Sequence, residues 1–279
     1  MNNSELYTKT SQQINKLITQ QYSTSFSTAM RLLDEPDRTH LYNIYGFVRV
    51  ADELVDTLRP NNSAILLKDF EADTFETIRS QISLNPVIHA FAITVNTCNI
   101  SLDLIKAFFV SMHMDLSKKK YSDSQYQAYI YGSAEAVGLM CLCVFTEGKI
   151  SSYKKYTPAA QALGSAFQKV NFLRDLRADN SDLGRVYFPG VDFAHFNDKQ
   201  KNTIIQDISS DFKQAKIMIH QLPIASRYGV LLAYLYYMAL LHKLTKTATN
   251  RLKQDRIRVL SPHKLALYIL VVIRKFFRI

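Results

Sequence analysis

Two aspartates four residues apart interrupt the apolar stretch YGFVRVADELVDTL, residues 45–58. At 100° per helical residue, four functional side chains share an arc of roughly 60°: Tyr45, Arg49, Asp52 and Asp56. Aspartate is a poor residue for a helix interior, so this stripe needs a reason. It suits either the exposed face of an amphipathic helix or a binding site, and this stretch alone favours the exposed face.

A second segment, QKVNFLRDLRAD (168–179), repeats the aspartate spacing. Its polar stripe covers roughly 80° of a helix and contains Gln168, Asn171, Asp175 and Asp179. Apolar residues border the stripe, and Lys169, Arg174 and Arg177 fall outside it, so we expect the solvent-exposed face elsewhere. Carboxylates between apolar flanks are costly unless a cation meets them. Arg49 is one candidate, but one arginine does not neutralise four aspartates, whereas divalent ions do.

The two D-x-x-x-D pairs predict a Mg²⁺ site if their helices face one another across a bundle. Mg²⁺ prefers oxygen ligands, keeps several waters and completes its shell with phosphate oxygens of a substrate. Arg49 and Arg174 are suited to bind phosphate bidentately, and the amides of Gln168 and Asn171 add neutral contacts. The sequence has neither G-x-x-x-x-G-K-[ST] nor G-x-G-x-x-G, which disfavours a nucleotide triphosphate. We therefore expect a diphosphate carried by an apolar group.

The composition favours long helices that would position these pairs. Of 279 residues, 47% are hydrophobic, and only 8 are glycine and 7 proline. Apolar residues recur at three- and four-residue spacing without sustained alternation. These features predict one all-α domain over residues 1–279. The predicted helices are 5–20, 39–58, 63–80, 101–114, 122–146, 154–178, 199–219, 223–248 and 263–277.

Positive charge is concentrated near the end of the chain. Of the net charge of +10, about +9 lies in residues 243–279, where Asp255 is the single acid. The apolar run 265–273 is about half as long as a membrane span. We expect the basic, apolar helix at about 263–279 either to lie on an anionic membrane or to pack as the last core helix.

The three cysteines and the first twenty residues predict a cytoplasmic location. Cys98, Cys141 and Cys143 have neither C-x-x-C spacing nor an even number, so they fit a reducing compartment. The N-terminal segment has no apolar core of signal-peptide length. This prediction leaves open whether the C-terminal helix also attaches the protein to a membrane surface.

Six segments in order resemble the squalene and phytoene synthases, the head-to-head isoprenoid condensing enzymes. They are STSF (23–26), YGFVRVADELVD (45–56), MDLSKKKY (114–121), YIYGSAEAVGLM (129–140), NFLRDLRAD (171–179) and GRVYFP (184–189). The third segment and RDLRADNSDLGRVYFP look more like bacterial phytoene synthases than squalene synthases. The resemblance implies a single-domain isoprenoid-synthase helical bundle with a central apolar cavity.

The resemblance also implies roles for the matching positions. The metal ligands would be Asp52, Asp56, Asn171, Asp175 and Asp179. The four aspartates and Tyr129, near the reacting carbons, would be catalytic. Substrate contacts would come from Ser23, Ser25, Tyr45, Arg49, Gln168, Asn171 and Arg174, with Arg185 and Tyr187 on a flap. Small residues such as Gly132 and Gly138 would leave room for prenyl chains. Tyr22 and Thr24 depart from the family, which often has histidine and a basic residue there.

The implied reaction joins two geranylgeranyl diphosphates head to head, through a cyclopropyl diphosphate, to give phytoene and diphosphate in carotenoid biosynthesis. The resemblance implies about two or three Mg²⁺ ions, with Mn²⁺ as a substitute, and no NADPH. One alternative is squalene or dehydrosqualene formation from farnesyl diphosphate. A second is an inactive relative acting as an assembly factor, which the intact acid pairs disfavour. A nucleic-acid-binding protein, suggested by charge alone, is not expected. The sequence predicts no oligomeric state.

Overall fold

The computed structural model describes residues 2–58, 61–117 and 120–278, which form thirteen α-helices and no β-strand. The helices are α1 (Asn3–Tyr22), α2 (Thr24–Met30), α3 (Asp37–Glu53), α4 (Ser63–Ser80), α5 (Pro86–Thr97), α6 (Leu102–Ser117), α7 (Asp123–Ile130), α8 (Ala136–Phe145), α9 (Ile150–Asp182), α10 (Asp198–Ile219), α11 (Ile224–Lys246), α12 (Thr249–Leu252) and α13 (Ser261–Phe277). Two π-helical turns, Leu54–Leu58 and Tyr131–Glu135, continue α3 and join α7 to α8. The all-α prediction is confirmed.

Three helices lie outside the nine predicted segments: α2, α5 and the short α12. The sequence of α5, PVIHAFAITVNT, is apolar on most sides and is largely buried, so it has no amphipathic stripe to reveal it. The sequence indicates α5 only through the residues at its start. Asn85 accepts hydrogen bonds from the Val87 and Ile88 N–H groups, and Pro86 occupies the first turn, as expected for a helix start.

The two helices that carry the acid pairs are held apart by α8. Both α3 and α9 pack against it, and α3 also packs on α1 and α5 while α9 packs on α10 and α11. Phe47 of α3 stacks on Phe91 of α5 with ring centroids 3.8 Å apart, and neither ring is exposed. This packing fixes the face that α3 turns toward α9.

Glycines allow the central helices to approach one another closely. A Cβ at Gly132 would lie 2.2 Å from the Ala107 carbonyl oxygen of α6, and one at Gly164 would lie 2.5 Å from that of Ala134. At Gly138 the Ala160 oxygen would be 2.9 Å away. We expected Gly132 and Gly138 to leave room for prenyl chains. At Gly132 a neighbouring backbone occupies that space instead, although Gly138 also lines the central cavity.

Two segments of the described chain have the length and hydropathy of a membrane span, Asp123–Phe145 and Ile224–Lys246. In each of them 61% of the most apolar window is buried within the bundle. Core helices meet the same criteria, because a helix that is apolar on all sides needs burial whichever medium provides it.

Replacement of Gly132 tests the close helix contact. Gly132→Ala should lower the free energy of unfolding by about 2 kcal/mol, since the added methyl group overpacks a backbone contact. Urea denaturation followed by circular dichroism measures the change. The exposed Gln127→Ala on α7 is the control and should stay within about 0.5 kcal/mol of the parent chain. Equal unfolding midpoints for both variants would contradict the packing account.

Candidate active site

All four aspartates of the two acid pairs line one cavity of about 440 Å³. Asp52 and Asp56 approach it from the end of α3, and Asp175 and Asp179 approach it from α9. Seven more of the predicted site residues line the same cavity: Tyr45, Arg49, Tyr129, Gln168, Asn171, Arg174 and Tyr187. Much of the remaining lining is apolar and comes from α2, α3, α6, α8, α9 and α11.

The first acid pair spans the junction between α3 and the π-helical turn that follows it. A π-helix has a wider turn than an α-helix and is common at functional sites. The predicted continuous helix at 39–58 therefore changes type after Glu53. Asp52 and Asp56 meet different partners: Arg49 Nη1 donates to Asp52 Oδ2 at 2.6 Å, whereas Arg185 Nη1 donates to Asp56 Oδ1 at 2.5 Å.

The second acid pair is also met by arginine. Arg174 Nε donates to Asp175 Oδ1 at 3.0 Å, and Arg256 Nε lies 2.7 Å from the same oxygen. Arg256 reaches the site from the loop that precedes α13. We considered Arg49 as the one arginine partner, but the described structure provides four: Arg49, Arg174, Arg185 and Arg256.

Asp115 of α6 is an acid of the site that the sequence pattern does not reveal. It is 3% exposed and accepts hydrogen bonds from the hydroxyls of Tyr129 at 2.8 Å and Tyr187 at 3.1 Å. The Tyr121 hydroxyl is 3.4 Å away, and Arg185 Nη1 lies 3.3 Å from the carboxylate. Its only sequence signal is that of a single aspartate in the largely apolar run SMHMDL.

The segment predicted to form a flap packs against the bundle, and its Arg185 side chain is buried there. Arg185 is 2% exposed and is not among the residues that line the cavity. It joins Asp56 to Asp115, and its Nη2 donates to the Asp115 carbonyl oxygen at 2.6 Å. Tyr187 does line the cavity and stacks on Phe172 with centroids 4.0 Å apart. Arg185 is therefore placed to hold Asp56 in position, and Tyr187 to meet a ligand.

The two early serines lie beside the cavity and are not part of its lining. The Ser23 hydroxyl caps α2 by accepting the Phe26 N–H at 3.1 Å. Ser25 Oγ lies 2.8 Å from Lys264 Nζ, a donor on α13. Lys264 thus brings a cation to the segment where the family pattern has a basic residue and this chain has Thr24.

Tyr22, the other departure from the family pattern, contacts the first arginine. The Arg49 guanidinium lies 4.6 Å from the centroid of the Tyr22 ring, within the range of a cation–π contact. Arg49 Nε is buried and has no hydrogen-bond partner among the described residues. A buried donor of this kind is costly without a partner. It is suited to an anionic oxygen of a ligand in the cavity.

Lys169 corrects one detail of the predicted second helix. We placed it on the solvent-exposed face, but it is 6% exposed. Its Nζ lies 2.6 Å from Asp207 Oδ2 and 2.8 Å from Asp211 Oδ2. Both acids belong to α10, which packs against α9. The polar stripe lines the cavity, whereas this lysine is buried on another side of the same helix.

The carboxyl groups of the site are hard to ionise together. Burial, together with the charges of Asp175 and Asp56, raises the pKa of Asp179 to about 8, although nearby arginines act in the opposite direction. Burial, followed by repulsion from Asp56, also raises the pKa of Asp52. At Asp115 burial outweighs the attraction of Arg185 and raises the pKa to about 7. Each shift means that the folded protein resists a further negative charge here.

Within the described chain, six carboxyl groups meet four guanidinium groups at this site. The carboxyl groups are Asp52, Glu53, Asp56, Asp115, Asp175 and Asp179. The surplus of acidic oxygen and the raised pKa values fit a hard divalent cation, which would favour ionisation. As the side chains stand, no group of three or more His, Cys, Asp or Glu among the described residues is arranged to hold a metal ion. Mg²⁺ suits this arrangement because it needs only one or two carboxylates besides water and phosphate oxygens.

Comparisons with known proteins identify the family of the chain. The family model "Squalene/phytoene synthase" matches residues 19–262. The chain is 30% identical to "Phytoene synthase" of Arthrospira platensis over 190 residues, 64% of this chain and 61% of that protein. It is 30% identical to "Phytoene synthase 2, chloroplastic" of Solanum lycopersicum over 267 residues, 88% of this chain and 84% of that protein. The chain thus spans less than two thirds of the Arthrospira relative.

A solved structure of a dehydrosqualene synthase in complex with ligand has the same fold. Its TM-score is 0.80 at 19% identity, and the match covers 95% of this chain and 96% of that chain. At this identity the similarity concerns the fold alone.

Raised carboxyl pKa values predict a stability that depends on pH. Because the folded-state pKa of Asp179 is about 8 against a usual 3.8, the folded protein keeps a proton that the unfolded chain releases. The free energy of unfolding should therefore fall as pH rises from about 4 to about 8. Asp179→Asn should flatten this slope, and Mg²⁺ should stabilise the parent chain most at high pH. Urea unfolding at about pH 5 and about pH 9 measures both effects.

The exposed Asp69→Asn variant controls for the loss of any carboxylate and should keep the parent slope. An unchanged slope in Asp179→Asn would show that Asp179 does not carry the extra proton.

Proposed function

This chain belongs to the squalene/phytoene synthase family, and from that membership we propose that it is a Mg²⁺-dependent prenyltransferase of the phytoene synthase type. The proposed reaction condenses two geranylgeranyl diphosphates head to head to give phytoene and two diphosphates. One observation carries the proposal: two acid pairs from separate helices line one largely apolar cavity. The two relatives named phytoene synthases support the choice of product.

The diphosphates would bind at the polar end of the cavity. Mg²⁺ held by Asp52, Asp56, Asp175 and Asp179, with Asn171, would neutralise the negative charge that develops on a departing diphosphate. Arg49 offers its unpaired Nε to phosphate oxygen, and Arg174 would exchange part of its contact with Asp175 for phosphate. Gln168 also lines this region and adds an amide donor.

The apolar part of the cavity would hold the prenyl chains and exclude water. Phe26, Phe167 and Tyr237 line it, and the last two rings stack with centroids 4.1 Å apart. Burial of a C20 chain contributes on the order of 15 kcal/mol before entropy and other costs. Aromatic faces also stabilise a nearby cation. Since water would trap the allylic cation, a dry cavity protects it until the second double bond attacks.

Proton removal would use Tyr129 and Asp115. The first C–O bond breaks, the cation is attacked by the double bond of the second substrate, and loss of a proton closes the cyclopropane ring. Burial raises the pKa of Tyr129 well above its usual value, so this tyrosine is a neutral hydroxyl. Its proton can pass to Asp115 Oδ2 at 2.8 Å as the hydroxyl oxygen takes a proton from the substrate. The pKa of about 7 at Asp115 suits a base near neutral pH.

Condensation of farnesyl diphosphate is the second candidate function. The solved structure that shares the fold at a TM-score of 0.80 is a dehydrosqualene synthase, so the fold is compatible with this candidate as well. An inactive assembly factor receives less support, because such a protein would have no need for four costly aspartates around one cavity.

Product analysis distinguishes the two candidates. The purified chain is incubated with Mg²⁺ and either labelled geranylgeranyl or labelled farnesyl diphosphate, without NADPH. We expect phytoene from the C20 substrate and little product from the C15 substrate. A C30 product alone would transfer the proposal to the second candidate. Release of no diphosphate from either substrate would contradict both.

Removal of one carboxylate from each pair tests the acid site. Asp52→Asn and Asp175→Asn should each lower the rate of diphosphate release about 100-fold or more, because the charge that offsets the leaving group is lost. The fold should persist because repulsion between carboxylates is also relieved. The matched control is Asp182→Asn, an exposed position at the end of α9, the helix that carries Asp175. This variant should keep parental turnover. Parental turnover in both cavity variants would exclude the assignment.

A further inference from the structure

The helix α13 (Ser261–Phe277) is attached to the bundle along one side only. It packs against α11, with Val271 fully buried and Tyr268 against the core. Two lysines hold it to the region of α2: Lys264 contacts Ser25 as described, and Lys275 Nζ donates to Asp34 Oδ1 at 2.7 Å. These contacts fix which side of α13 faces outward.

The outward side is a continuous apolar surface. At 100° per residue, exposed apolar side chains cover roughly 160° of the helix with no charged residue between them. The centre of this surface is a row at helical spacing, formed by Leu265, Ile269, Ile273 and Phe276, which are 58%, 49%, 47% and 79% exposed. Single exposed apolar residues are ordinary in soluble proteins, but a contiguous row marks an interaction surface. We call this row the outer face.

Positive charge surrounds the outer face. Residues 256–278 contain six Lys or Arg and no acid. Arg274 borders the outer face on the helix, and exposed Arg278 follows it. Arg258 precedes it and is also exposed, and its carbonyl oxygen accepts a hydrogen bond from Lys243 at 2.7 Å. An apolar strip with a basic rim is complementary to an anionic, apolar partner.

We propose that the outer face of α13 binds an anionic lipid surface. The helix lies in the plane of the headgroups, with the outer face toward the acyl chains and the basic rim at the phosphates. Its 17 residues form a rod of about 26 Å, and attachment along its inner side keeps it from crossing the bilayer. A second copy of this chain is a poorer partner, because a symmetric contact would bring two basic rims together without an acid between them.

The surface also lies next to the cavity. Lys264 contacts Ser25 of α2, and Phe26 and Met30 of the same short helix line the cavity. Lipid bound at the outer face would therefore be separated from the apolar pocket by α13 and by the helices beneath it, α2 and α11. Apolar ligands would travel a short path between membrane and cavity. The binding inference stands without the proposed reaction, because it concerns a surface that contains no cavity residue.

Vesicle flotation with the full chain tests the inference. Vesicles of phosphatidylcholine alone are compared with equimolar phosphatidylcholine and phosphatidylglycerol. The parent chain should bind the anionic vesicles about tenfold more strongly, and the double variant Ile269→Asp with Ile273→Asp should lose about tenfold of that binding. The matched control is Ile65→Asp with Leu84→Asp, which are 61% and 95% exposed elsewhere on the protein. It should bind like the parent chain.

A second double variant tests the basic rim, the Arg residues that surround the outer face. Arg274→Gln with Arg278→Gln should reduce binding to anionic vesicles by about fivefold per residue and leave weak binding to neutral vesicles unchanged. Circular dichroism and gel filtration accompany each variant.

Three results would overturn the inference. Equal binding of the parent chain to both vesicle types would remove the role of anionic lipid, and equal loss in the control variant would remove the role of the outer face. A parent dimer that Ile269→Asp with Ile273→Asp converts to a monomer would identify a second copy as the partner.

Discussion

An excess of carboxyl groups over guanidinium groups in one partly apolar cavity is the constraint on which the site depends. Arginines satisfy part of the charge: Arg185 joins Asp56 to Asp115, and Arg174 meets Asp175. The remainder appears as raised pKa values, to about 8 at Asp179. A folded protein keeps such an arrangement at a cost to its stability. The cost is understandable if the carboxylates receive a cation together with an anionic ligand.

The helical bundle maintains this constraint through close packing. The helices α3 and α9 both rest on α8, and Gly164 of α9 allows backbone contact with Ala134 in the π-helical turn that precedes α8. The π-helical turn Leu54–Leu58 then directs Asp56 toward Arg185, which a continuous α-helix would aim differently. Core packing, local helix geometry and site electrostatics thus act on the same few residues.

The sequence predicted what depends on local periodicity and missed what depends on distant contacts. The acid stripes at Asp52 and Asp175 were visible because helical spacing places polar residues on one side. Asp115 was not, since its partners lie on other elements and nothing beside it in the chain marks its burial. Lys169 was assigned to solvent because its acids are on α10, about forty residues away. The helix α5 was not predicted because it is apolar on most sides and therefore has no amphipathic stripe.

The most direct test of the central claim is anomalous diffraction from crystals grown with Mn²⁺ and a non-hydrolysable prenyl diphosphate analogue. The account predicts Mn²⁺ peaks between Asp52 and Asp56 on one side and Asp175 and Asp179 on the other, each shared with diphosphate oxygen. It also predicts that Arg49 and Arg174 contact the diphosphate. Diphosphate bound elsewhere, with the aspartates still paired only to arginine and no metal peak among them, would contradict the account.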